Sequence, residues 1–233
     1  MSKIIFHGHA FVELETNNSS ILIDPFIQGN TLCDTTVDQV KHLNIKAIIL
    51  THWHADHIGD TITIAKKTWA LVIGEFQLIR YLEDTYRLQN THGMNIGWEH
   101  NFGDFSMKLF QAIHGGGIWA KKPYRDTTLS ASVLLRYQDK TIFHAGDTAL
   151  TKDFELLWEY ENIDYAFLPI GDNFTMGPQD ASIATKMIKP KVVIPIHYNT
   201  REIIKQDPWD FKNLLSDTPF QVQIINAGEY IEF

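Results

Sequence analysis

The chain predicts an α/β protein built from two mixed β-sheets with helices outside, and three observations carry that prediction. Short apolar runs alternate with stretches whose apolar residues recur at helical spacing. The apolar runs are of strand length and are closed by polar turn residues. Both halves open on strands and pass into strand-helix alternation. Neither a sequence repeat nor a low-complexity linker divides the 233 residues, so residues 1–233 are expected to form one domain.

Taken in order, residues 3–6, 11–15 and 20–24 read as strands separated by Gly-His and Asn-Asn-Ser turn signals, an antiparallel meander. Residues 37–43 read as helix, 47–50 as strand, 58–67 as helix, 71–73 as strand and 75–82 as helix. The second half restarts with strands at 98–102, 105–113, 129–137 and 141–144. It then alternates: helix 152–160, strand 165–170, helix 178–188, strand 192–196, helix 208–215, strand 222–226. Pro178 and Pro208 fall where a first helical turn tolerates proline, each with an aspartate nearby to suit the helix dipole.

Composition excludes several classes. With 44% hydrophobic and 21% charged residues the chain resembles an ordinary folded domain and not a disordered one. Its apolar runs fall far short of the ~20 residues of a membrane-spanning helix, so no membrane association is expected. The first residues turn polar too soon for a signal peptide, and the lone Cys33 fits a reducing compartment; a cytoplasmic protein is expected. A net charge of -8 opposes a general attraction to nucleic acid, which leaves a small-molecule substrate as the expected partner and homo-oligomer formation open.

The chemistry concentrates in Thr51-His52-Trp53-His54-Ala55-Asp56-His57-Ile58-Gly59, directly after the predicted strand 47–50. His52, His54, Asp56 and His57 put four metal-ligand side chains into six positions, and a strand end followed by a tight turn lets such ligands converge. A polar strand-to-helix connection, with Asp56 as a cap, is the ordinary alternative; three histidines and an aspartate so closely spaced weigh against it. Further ligand candidates follow later predicted strands: His114 after 105–113, Asp147 after 141–144, and His197 after 192–196. Imidazole nitrogen and carboxylate oxygen suit zinc, manganese and iron alike.

These motifs bring a resemblance. Together with Gly8-His9-Ala10, Ile23-Asp24-Pro25-Phe26, Phe143-His144-Ala145-Gly146-Asp147-Thr148, the stretch from Ile170 to Gly177, and Ile194-Pro195-Ile196-His197-Tyr198, the chain resembles the metallo-β-lactamase superfamily. Within it the chain is similar to a bacterial and archaeal group of metal-dependent hydrolases related to L-ascorbate-6-phosphate lactonase. The resemblance implies a four-layer αβ/βα sandwich and two divalent metal ions, zinc foremost, with manganese or iron as alternatives. It implies one ion on His52, His54 and His114 and the other on Asp56, His57 and His197, with Asp147 bridging. Asp56 and Asp147 are thereby the expected catalytic carboxylates, and a hydroxide between the ions the expected nucleophile for an ester, lactone, amide or phosphodiester bond.

Other readings compete. A flavo-diiron-like redox protein of the same superfamily places a carboxylate where this chain has His54, and no flavin domain fits the length. A secreted β-lactamase lacks His57 in this motif. Nucleic-acid-processing members carry inserted domains and basic surfaces, and thioesterases acting on glutathione conjugates add a C-terminal helical region. A non-catalytic metal-binding protein is disfavoured by the complete ligand set.

Among the remaining candidates, Asp24, His9 and His144 stand at strand edges and are expected to hydrogen-bond ligand imidazoles from behind. His42, His92 and His100 sit in ordinary contexts and are expected to be structural or exposed. Substrate-contacting residues are not identified. The loop 115–128, with Trp119, Lys121, Lys122, Tyr124 and Arg125, reads equally as a lid recruiting an anionic substrate and as a solvated surface loop. Asp172, Asn173 and Thr175 form a second candidate loop, which a glycine-bounded turn explains as well.

Overall fold

The computed structural model describes residues 1–117 and 128–233, which group into two compact units. One comprises Met1–Asn95, Gly115–Leu129 and Ile225–Phe233, the other Ile96–His114 and Ser130–Ile224. The cationic and aromatic residues 118–125 of the expected lid lie outside the described residues. At the base of that loop the Thr128 N–H donates to the Gly116 carbonyl (2.8 Å), and a Cβ on residue 116 would lie 1.7 Å from the Thr128 oxygen, so only glycine fits there.

The first unit is one seven-stranded mixed sheet with its helices. Its strands are β1 (Lys3–Phe6), β2 (Val12–Glu15), β3 (Ser20–Ile23), β4 (Ile45–Ile49), β5 (Leu71–Glu75), β6 (Thr91–Met94) and β14 (Tyr230–Glu232), in the order β14-β1-β2-β3-β4-β5-β6. Pairing is antiparallel from β14 to β3, as the meander predicts, and parallel from β3 to β6. Its helices are α1 (Val37–Val40), α2 (Ala55–Ile58), α3 (Thr61–Thr68) and α4 (Phe76–Tyr86). Parallel neighbours need crossovers, and α3 and α4 supply them after β4 and β5. Their apolar faces explain the packing: Ile64 and Ala65 of α3 and Leu78, Ile79 and Leu82 of α4 share one core with Leu22, Ile48 and Val72 of the sheet. Thr36 and Gln39 close a reciprocal capping box that starts α1, and the Glu75 carboxylate accepts the Leu78 N–H to start α4.

The second unit repeats the plan. Its strands β7 (Glu99–Asn101), β8 (Phe105–Gln111), β9 (Ala131–Tyr137), β10 (Lys140–His144), β11 (Tyr165–Pro169), β12 (Val192–Ile196) and β13 (Gln221–Val222) run β13-β12-β11-β10-β9-β8-β7. They pair antiparallel from β7 to β10 and parallel from β10 to β13. Phe154 and Leu157 of α5 (Phe154–Tyr160), Ala181, Ala184 and Ile188 of α6 (Pro178–Ile188), and Phe211 of α7 (Pro208–Asn213) pack with Phe143, Leu168 and Val193 of this sheet. Pro178 and Pro208 both stand in first helical turns, as predicted.

The differences from the predicted elements have local causes. The helix expected over 58–67 is two, α2 and α3, broken at Gly59 and Asp60. Gly59 has φ +43°, and a Cβ there would meet the Pro25 oxygen at 2.4 Å. Asp60 then donates its N–H to that oxygen, and its carboxylate accepts the Ile27 and Gln28 amides at 3.0 and 2.8 Å. β6 reads Thr-His-Gly-Met and carries no apolar alternation; it forms because β5 offers a parallel partner and Gly93 fits close beside Phe76 and Ile79. The strand expected at 222–226 stops at Val222, after two residues paired with β12.

Candidate metal centre

In the first unit, the site is built around a fully buried carboxylate. Asp24 follows β3 with φ +48°, and its side chain collects three donors: the Thr51 N–H (2.9 Å) on Oδ1, and the Thr51 hydroxyl (2.6 Å) and His57 Nδ1 (2.7 Å) on Oδ2. The Thr51 hydroxyl has spent its one proton on Asp24, so at 3.0 Å from His52 Nδ1 its oxygen accepts from that ring. The network therefore assigns the Nδ1–H tautomer to both His52 and His57 and leaves their Nε2 lone pairs for an electrophile. His52 Nε2 lies 3.0 Å from His54 Nδ1, a spacing that two ligands of one ion take. Asp56, in the first turn of α2, has Oδ2 3.3 Å from His9 Nε2, and donor atoms of His9, Asp56 and His57 all fall within 4.8 Å of one another. Neutral imidazoles held from behind and a carboxylate are the donor set that a divalent transition metal requires.

In the second unit, three strand ends deliver three more donors. Beyond β8 the Ile113 N–H donates to Thr148 Oγ1 (3.0 Å) and the Ala149 N–H to the Ile113 carbonyl (3.1 Å), which stitches His114 to the turn after β10. That turn runs through Gly146, φ +60°, and is held by the Gly146 N–H donating to His144 Nδ1 (3.1 Å). His144 is itself buried and stacked on Phe167. Asp147 emerges buried, with Oδ2 3.5 Å from His114 Nε2 and 3.2 Å from His197 Nε2. His197, after β12, has φ +56°, and its carbonyl lies where a Cβ on Gly171 would come within 2.3 Å, so residue 171 must be glycine. One oxygen of Asp147 thus faces two imidazole nitrogens at distances that ligands of a metal can take.

The other expectations distribute as follows. His42 and His100 are exposed and His92 is half-buried. Asp172 and Asn173, with φ +60° and +48°, are exposed in a turn closed by the Asp172 N–H on the Met176 carbonyl; the half-buried Thr175 belongs to the same turn. Sequence reasoning passed over Thr51, although it directly precedes His52, because its role depends on β3 lying beside β4. It also passed over His7. That imidazole is buried, with Nδ1 2.7 Å from Asp34 and Nε2 3.1 Å from Glu13, whose carboxylate also accepts from Ser20. Burial by itself lowers the His7 pKa; the hydrogen bonds to Asp34 and Glu13 outweigh it and raise the pKa above the ordinary histidine value. The signal for it was Glu13, a carboxylate on a buried strand that demands a partner.

Comparison with known proteins agrees with this architecture. The family model of the beta-lactamase superfamily domain matches residues 19–198, most of the chain. The chain belongs to the metallo-β-lactamase superfamily. More closely, it is a metal-dependent hydrolase within it: a UPF0173 metal-dependent hydrolase of Geobacillus sp. (strain WCH70) is 47% identical over 231 residues, 99% of each chain. A second, from Bacillus thuringiensis (strain Al Hakam), is 46% identical over 98% of this chain and 99% of its own. Among solved structures, Igni18, a metallo hydrolase from the archaeon Ignicoccus hospitalis KIN4/I, superimposes with a TM-score of 0.88 at 30% identity, over 100% of this chain and 99% of that one.

Proposed function

We propose that the chain hydrolyses an ester, lactone, amide or phosphodiester bond in a small substrate with the aid of two divalent cations, zinc foremost, with manganese and iron also suited to the donors. In this reading His52, His54 and His114 hold one ion and Asp56, His57 and His197 the other, with Asp147 shared. The observation that carries it is the Asp24–Thr51 network, which occupies the Nδ1 protons of His52 and His57 and leaves both Nε2 atoms able to bind a metal. The position of Asp147 Oδ2 near both His114 and His197 supports the bridging role.

Two cations so held supply Lewis-acid polarisation of the bond attacked and a water that is nucleophilic near neutral pH. The chain's own part is orientation. Asp24 and Thr51 fix two rings without protonating their outward nitrogens, His144 fixes the turn that carries Asp147, and Gly171 lets the His197 backbone close in. Among the described residues no helix is long and apolar enough to cross a membrane. The lone, half-buried Cys33 is in keeping with a reducing, cytoplasmic setting.

The test is a panel of esters, lactones, thioesters, amides and phosphodiesters assayed with the metal-loaded protein and with Asp147→Ala. The reading expects turnover of one bond class, reduced at least ~100-fold in the variant. Equal turnover by both proteins refutes it.

A further inference from the structure

We infer that His9 is itself a metal ligand, binding through Nε2 the ion assigned to Asp56 and His57; this rests on the metal-dependent reading above. Histidine-carboxylate pairs within each unit fall into two classes. Those in which the carboxylate orients the ring are short: His57 to Asp24 and His7 to Asp34 are both 2.7 Å. Those in which both side chains are assigned as ligands are longer: His197 and His114 stand 3.2 and 3.5 Å from Asp147. His9 Nε2 lies 3.3 Å from Asp56 Oδ2 and belongs with the second class. Two ligands with bonds of 2.0–2.1 Å on a tetrahedral ion are about 3.3 Å apart. The pair His7–Glu13, at 3.1 Å, is the second contact of a ring already committed to Asp34.

The repeated topology gives independent support. β1 and β8 hold the same place in their sheets: each is second from one edge, is followed by two more antiparallel strands, and lies two strands from the switch to parallel pairing, although the outer neighbour of β8 is the preceding β7 and that of β1 is β14. His9 stands three residues beyond the end of β1, and His114 stands three residues beyond the end of β8. His9 is thus the counterpart of an assigned ligand. Its ring is fully buried and set edge-on against Phe26, and its backbone adopts φ +58° directly after Gly8 at φ +89°. A left-handed, buried imidazole is conformationally costly, and this one shares its handedness with His197, also an assigned ligand.

The test compares wild type, His9→Ala and Phe26→Leu, each loaded with Zn²⁺ and titrated with a chromophoric chelator. His9→Ala is expected to lose at least tenfold in affinity for one equivalent and to leave the other unchanged. Phe26→Leu, which removes the ring contact but keeps the imidazole, is expected to retain both. Should His9→Ala fold poorly, the wild type still answers: with ¹¹³Cd²⁺ in place of zinc, His9 Nε2 is expected to carry no proton and to couple to the metal in histidine side-chain NMR. Wild-type affinity for both equivalents in His9→Ala, equal loss in Phe26→Leu, or a protonated Nε2 overturns the assignment. A wild type that binds no metal overturns instead the reading on which it rests.

Discussion

His57 donates its Nδ1 proton to Asp24 at 2.7 Å, and both side chains are completely buried. An imidazole so held can offer only its other nitrogen outward, and a carboxylate behind it raises the basicity of that nitrogen. Asp24→Asn removes the charge while keeping the shape. Metal affinity is expected to fall about 10- to 100-fold in chelator competition, with the fold intact by circular dichroism; unchanged affinity contradicts the orienting role.

The turn at Gly59 makes the second prediction. With φ +43° and the Pro25 oxygen 2.4 Å from any added Cβ, Gly59→Ala must displace backbone and not merely a side chain. A loss of at least about 2 kcal/mol in denaturant unfolding is expected. Because Asp60 ties this turn to residues 27 and 28, the same variant is expected to weaken metal binding. Wild-type stability contradicts the account of the broken helix.

How much of this was legible in the sequence depends on range. His52, His54, Asp56 and His57 were legible because one turn contains them all. His114, Asp147 and His197 were legible as polar residues that end apolar runs. Thr51 and His7 were not singled out, since their partners, Asp24 for one and Glu13 and Asp34 for the other, meet them only through strand pairing and loop return. Short edge strands were the least legible elements. β6 and β14 carry little apolar pattern of their own and exist by adding to β5 and β1.

The His7 network makes stability depend on pH. Its folded pKa lies above the unfolded 6.5, held up by Asp34 and Glu13 against burial, so its contribution is complete below the unfolded value and is lost as pH rises through the folded one. Asp34 shifts the other way: burial pushes it up, but His7 outweighs that and holds it below 3.8, so its contribution is lost as pH falls through the depressed folded value. The unfolding temperature of wild type is therefore expected to exceed that of His7→Gln most below the ordinary histidine pKa, and the gap to narrow in alkaline buffer. A constant gap across pH 5–9 means the imidazole is not charged.

The most direct measurement is the metal content of the purified protein by elemental mass spectrometry, referred to protein concentration by amino-acid analysis. The account predicts two equivalents of divalent transition metal per chain, falling in Asp147→Ala. Fewer than one equivalent in the wild type contradicts it.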